Sequence, residues 1–441
     1  MERRYVLFIT LFTVLLPWTA VTASNGPSAG HTGFIANNGQ VLDDQGRPDP
    51  RTLYYFQGAD LDVSLRPDGF AYVIWTRREA TVNERTAIPS DRLPEDLQLP
   101  PTRTYEAHRI AITFERASSA VQVEADEPRA GYFNYYTAGL PAEGVTRVPH
   151  FTTVTYRELY PHIDVVFHLT DRDGRAAVKY DLIVRPGGDL SAIRMRYEGA
   201  PAALTPGGLL VLDTPLGPMQ ERVPESWYQH GQRRSDARVV PVALDANVFG
   251  FRYDGSEATP EGATLVIDPM PTLSWEATFD EEDAEVYSTS TFDAAGYVYA
   301  AGARSQPLFG GTSTVVQGPS DVLLAKYDGA GQLMWLTYMG GGGAEGAAGI
   351  GTLPSGDVVI GGQTDSPQGM ATVGAWQAAY GGGYRDGFIA RFNTAGLRVW
   401  SMYYGGNYFD HITDLACDAS GRIVVTGSTE SAVHMASPNA V

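Results

Sequence analysis

Two stretches of the chain are near copies. Asp321 to Gly341 reads DVLLAKYDGAGQLMWLTYMGG, and 65 residues later Asp386 to Gly406 reads DGFIARFNTAGLRVWSMYYGG. A repeat above fifty residues, built from short apolar runs, constrains the fold strongly, because such a unit buries its faces only against neighbours of its own kind. The register extends further. Trp275, Trp335 and Trp400 recur at 60 and then 65 residues, and Gly302, Gly362 and Gly427 keep those intervals after the runs YVYAAG, VVIGG and IVVTG. Glu285, Glu345 and Asp410 are in register too, each 11 residues before a turn glycine, Gly296, Gly356 or Gly421. The five extra residues of the second interval are placed in the loop before Asp386, where length changes are tolerated.

Each unit holds about four short strands punctuated by glycine. Leu323, Ala325 and Tyr327 match Phe388, Ala390 and Phe392 on one face, and Leu324 and Lys326 match Ile389 and Arg391 on the other. Four strands per unit at this period point to propeller blades. In this reading the Asp321 and Asp386 strands are the outer strands of one blade, and the tryptophan strand after the turn is the first of the next. The third unit reaches Val441 before its own Asp-x-Phe strand, so about two and a half blades are present. The remaining blades are expected to be missing or supplied elsewhere.

The segment before the repeats, 32–270, also reads as strand. Leu61, Val63 and Leu65 alternate up to a Pro67-Asp68-Gly69 turn, and Phe70, Tyr72 and Ile74 alternate after it. That is a hairpin signature. Ile110, Ile112 and Phe114 share a face. Ile163, Val165, Phe167 and Leu169 lead into Asp173-Gly174, and Val178, Tyr180, Leu182 and Val184 lead out. Residues 77–104, charged and carrying Pro89, Pro94, Pro100 and Pro101, read as an exposed insertion. A strand ends at Asp268, two prolines follow, and the repeats occupy 271–441. The fold class expected is therefore all-β: a β-sandwich-like domain followed by an incomplete β-propeller.

Residues 1–23 form a signal peptide. Arg3 and Arg4 precede an apolar run from Tyr5 to Leu16, and Val21 and Ala23 suit the −3 and −1 positions of a cleavage site. Residues 24–31 are a linker. No other stretch is apolar enough to span a membrane, so an exported chain, extracellular or associated with the cell surface or outer membrane, is expected. The net charge of −19 argues against nucleic-acid partners. Cys417 is the single cysteine, which excludes an intrachain disulfide and suits a small buried side chain.

The search for chemistry yields little. Gly341, Gly343 and Gly346 match Gly-x-Gly-x-x-Gly, but a turn and a strand follow where a dinucleotide site needs a helix. His162, Asp164 and His168 lie close enough to hold a metal with a third ligand from elsewhere, or to be a hydrogen-bonded sheet face. The acids in register are the ligand-binding candidates: Glu285, Glu345 and Asp410 at one position, Asp321 and Asp386 at another. A ring of them would suit a divalent cation, calcium being the ion considered, or a cationic ligand. The alternative is that each accepts backbone hydrogen bonds in a turn. Trp335 and Trp400 are either sugar-stacking platforms or core anchors. No residue is assigned as catalytic, no metal ligand is assigned, and no cofactor is implied.

The strings WLTYMGG and WSMYYGG, the acid that follows each, and the DVLLAKY and DGFIARF strands resemble the repeat of exported bacterial seven-bladed β-propeller (SBBP-type) proteins. GFIANNGQ (Gly33–Gln40), YRELYPHIDVVFH (Tyr156–His168), KYDLIVRPGGDLSAIRMRYEGA (Lys179–Ala200) and LVIDP (Leu265–Pro269) resemble the uncharacterised domain that precedes such repeats. The resemblance implies an exported or cell-surface protein without a defined activity. Three functions stay open: a non-catalytic binding or scaffold protein with a protein or polysaccharide ligand, a carbohydrate-active propeller enzyme using paired carboxylates, and a calcium-stabilised adhesin.

Overall fold

The computed structural model describes residues 33–43, 45–58, 61–79, 103–172, 175–254, 260–273, 286–304, 315–317 and 320–431. The expected signal peptide, 1–23, the expected linker, 24–31, Trp275 and Glu285 lie outside the described residues. The protein is all-β. Among the described residues the one helical element is a 3-10 turn, Leu190–Ala192, capped by the Asp189 carboxylate, which accepts the Ser191 N–H.

Period-two patterns become hairpins. Leu61–Arg66 pairs with Gly69–Glu79, with Val63 opposite Tyr72 and Leu65 opposite Phe70. Ile163–Arg172 pairs with Arg175–Val184, with Phe167 opposite Tyr180. Their inward residues fill one aromatic-rich core, where the Phe70 ring lies 5.0 Å from Phe167 and 5.4 Å from Tyr180. Two boundaries differ from expectation. Arg77–Glu79 and Arg103–Thr104 are paired strand, Glu79 opposite Arg103, so the insertion is shorter than 77–104. Backbone pairing outlasts the apolar pattern because ladder bonds do not depend on side-chain type. The strand Thr264–Leu273 likewise runs past Asp268, pairing with Met219–His230. Pro269 falls at the register shift between Arg222 and Glu225, the kind of place where a sheet accepts proline.

The repeats build face-to-face sheets. Val286–Phe292, Val298–Arg304, Asp321–Tyr327 and Leu333–Met339 run antiparallel in the first. Glu345–Thr352, Val358–Thr364, Asp386–Phe392 and Arg398–Tyr404 form the second. Asp410–Cys417 and Ile423–Thr429 are a further hairpin. The phase of the repeat is not the expected one. Lys326 pairs with Trp335 and Arg391 with Trp400, so the tryptophan strand closes its own sheet instead of opening the next. The reason lies in the linking turns. Asp328 and Asn393 each accept backbone N–H groups two and four residues on, and Gly331 and Gly396 adopt φ of 79° and 69°. Such a turn returns the chain beside itself. The chain changes sheet at Gly340-Gly341 and Gly405-Gly406 instead.

Val322, Leu324 and Trp335 of the first sheet meet Val358, Phe388 and Phe392 of the second in one core, and Val359 and Ile389 on the second sheet's other face meet Ile412 and Leu415. Strand pairing crosses the 270/271 boundary in both directions. The hairpin Phe133–Tyr136 with Val145–Val148 extends the first repeat sheet, Phe133–Tyr136 running parallel to Leu333–Met339. In exchange, Val315–Gln317 pairs with Arg103–Phe114.

Candidate functional site

The acids in register stand where the chain changes sheet. Glu345 opens its strand and is 1% exposed. Its Oε2 accepts the Gly341 N–H at 2.9 Å, and its Oε1 accepts the hydroxyls of Thr364 at 2.6 Å and Ser366 at 2.5 Å. Asp410 repeats the arrangement, its Oδ2 accepting the Gly406 N–H and the Ser431 hydroxyl, each at 2.7 Å. The local cause is a shared pattern: Gly-Gly, an acid four residues after the second glycine, and a serine just past the next strand.

Asp321 and Asp386 open the third strands of their sheets, each beside the acid that follows. A β-carbon on Gly340 would lie 1.9 Å from Asp321 Oδ1 and 2.7 Å from Glu345 Oε2, so the two carboxyls converge on that glycine. Burial pushes Asp321 up to about 8, the Glu345 charge adds to the rise, and Arg304 opposes it. Burial pushes Asp386 up to about 7, opposed by the Gly381 N–H, 2.6 Å from its Oδ2, and assisted by Asp410. The Oδ1 atoms of Asp321, Asp386 and Asp410 are buried without a hydrogen-bond partner. The four described acids thus form two pairs, one at each sheet junction. Among the described residues no group of three or more His, Cys, Asp or Glu is arranged to hold a metal.

The remaining candidates separate by role. The glycine loop at Gly341 and Gly343 runs directly into the strand Glu345–Thr352. His162 is a turn residue with φ of 63°, off the strand that carries Asp164 and His168. Asp164 accepts the Arg185 guanidinium and the Glu158 N–H, while His168 Nε2 lies 3.2 Å from Asp181. Trp335 is a core residue whose Nε1–H donates to the Thr394 carbonyl at 3.0 Å. Trp400 and Cys417 are half-buried beside Ile412 and Leu415.

Three features stand outside the candidates read from the sequence. A cavity of about 480 Å³ is walled by Ala36–Gly39, by Pro48–Pro50, by Thr52–Tyr54 and by Val123. The Asn37 side chain frames it, its Nδ2 donating to the carbonyls of Asp49 and Thr52 and its Oδ1 accepting the N–H groups of Gly39 and Val41. The GFIANNGQ string marked this loop but not its cavity, because the opposite wall comes from distant positions. Second, Glu221 sits in the N-terminal core, accepting the hydroxyls of Tyr180 and Tyr197, and burial pushes it up to about 7. Third, Arg304 is 7% exposed and donates to Gln57 Oε1 at 2.7 Å. Its signal was available: it stands where Thr364 and Thr429 stand in the later units.

These features define an all-β protein in which an N-terminal β domain is joined to stacked repeat sheets through shared strands and a shared core. The chain belongs to the family described as a domain of unknown function (DUF7948), which matches residues 34–270, more than half of its length. It is also similar to the "Regulatory protein FlaEY" of Caulobacter vibrioides, at 28% identity over 116 residues. That match covers 26% of this chain, which spans 12% of the relative's length. No helix among the described residues is long and apolar enough to cross a membrane.

Proposed function

We propose that this is an exported, extracellular or surface-associated binding and scaffold protein, built as a β-sandwich-like domain followed by propeller-type repeats of the SBBP kind. The observation that carries the reading is the cavity beside Asn37. Its volume of about 480 Å³ falls within the range of ligand pockets, and its lining combines an aromatic side chain, Tyr54, with amide and hydroxyl groups on Asn38 and Thr52. That mixture suits a neutral polar ligand such as a polysaccharide segment or a peptide. The repeats supply the scaffold, since Glu345 and Asp410 are engaged in latching one strand end to the next.

The test is binding of the mature chain to immobilised polysaccharides and peptides, with Tyr54→Ala and Asn38→Ala as variants. The expected outcome is saturable binding that weakens about tenfold in either variant, with the melting temperature held in Asn38→Ala, the size of loss that one lining contact of about 1.4 kcal/mol produces. Turnover of a glycan, ester or peptide, abolished by one carboxylate substitution, would instead favour an enzyme. Export is tested separately by N-terminal sequencing of secreted protein, which should begin at Ser24.

A further inference from the structure

The two faces of a repeat sheet have different neighbours, and the register tells them apart. In the second sheet Phe388, Ala390 and Tyr403 point back at the first sheet, whereas Val359 and Ile389 point forward at Asp410–Cys417. Counting back 65 residues, Leu323, Ala325 and Tyr338 are the backward face of the first sheet. That face is covered. Ile35, Val41 and Tyr55 of the N-terminal domain share one buried core with it. The polar contacts follow the same plan. Arg304 bonds Gln57 and lies over the Tyr338 ring at 5.0 Å, and the hydroxyls of Tyr55 and Tyr135 meet at 2.8 Å.

We infer that the N-terminal domain takes the place of a preceding repeat sheet: it is the terminal cap of the stack and covers the backward face of the first sheet. Stacked repeats need such a cap, because an uncovered end face leaves apolar side chains in water. The departure of the first unit from the repeat follows from this role. Arg304 replaces the threonine of later units because its neighbour is a different domain.

Hydrogen exchange on the full chain tests the cap. Ile35→Asp places a charge in the covering surface, and Arg304→Thr gives the first unit the residue of the later ones. Both variants should lose at least tenfold protection in Asp321–Tyr327, while Asp386–Phe392 keeps its own. Unchanged protection of Asp321–Tyr327 in both variants would overturn the inference, since the backward face would then need no cover. Equal loss in Asp386–Phe392 would also overturn it, because the variants would then weaken the repeats as a whole and not uncover one face of the first sheet.

Discussion

The acids of the repeat act through what they accept. Glu345 gathers one backbone N–H and two hydroxyls in a buried site. Glu345→Ala would leave these donors unpaired, at a cost of about 1–3 kcal/mol, whereas Glu345→Gln keeps an acceptor and should lose less. Urea midpoints separate the two, and equal midpoints would count against the latch. The partners Asp321 and Asp386 make stability depend on pH. Burial raises Asp321 to about 8 and Asp386 to about 7, and it raises Asp62 and Glu221 to about 7 as well. Their folded values lie above the unfolded ones, so over this range the folded state holds more protons. Stability from these groups is therefore full below about pH 4 and is lost as pH rises to 7–8. Asp43, Glu115 and Asp418 are lowered, chiefly by hydrogen bonds, and run the other way, losing their contribution only under acid conditions. The expected melting temperature falls between pH 5 and pH 8.5, and Asp321→Asn flattens the slope. A melting temperature that rises across that interval would refute the assignment.

At the scale of elements, the strands were readable and their grouping was not. Alternation placed Phe70, Tyr72, Phe167 and Tyr180 on inward faces, and they are inward. The length difference between units does fall between Thr364 and Asp386. The phase was hidden because both connections are rich in glycine. Only the side-chain bonds of Asp328 and Asn393 mark one as a hairpin, and Gly340-Gly341 carries the crossing. Glycines within strands have a different task, which periodicity does not reveal. A β-carbon on Gly349 would come 2.3 Å from the Leu415 nitrogen and 2.6 Å from the Asp414 carbonyl carbon, both backbone atoms of the neighbouring hairpin. Gly349→Val should therefore push the Asp410–Thr429 hairpin off the second sheet, with overpacking of about 1–3 kcal/mol. Exchange in Asp410–Cys417 should rise while Asp321–Tyr327 is unaffected. If Asp410–Cys417 stays protected, the close approach is not what seats the hairpin.

For the whole molecule the decisive fact is that its parts exchange strands. The hairpin Phe133–Tyr136 with Val145–Val148 belongs by sequence to the N-terminal region and by pairing to the first repeat sheet, where Phe133, Tyr135 and Val148 join Leu323, Leu336 and Tyr338 in one core. Separating the two parts would expose all of these side chains at once, at about 1.5–3 kcal/mol for each large one. No local opening recovers that cost, so the N-terminal domain and the first repeat sheet should unfold as one cooperative unit. The Asp410–Thr429 hairpin is held differently, by Ile412, Leu415 and the half-buried residues around them. Urea unfolding followed by segment-resolved hydrogen exchange distinguishes the two attachments. Ile163–Arg172, Phe133–Tyr136 and Leu333–Met339 should share one midpoint, and Asp410–Cys417 should come apart at lower urea. Separate midpoints for Ile163–Arg172 and Leu333–Met339 would mean that the shared core is a contact between independently stable bodies. In that case the exchanged strands would be a consequence of docking and not the cause of the joint fold.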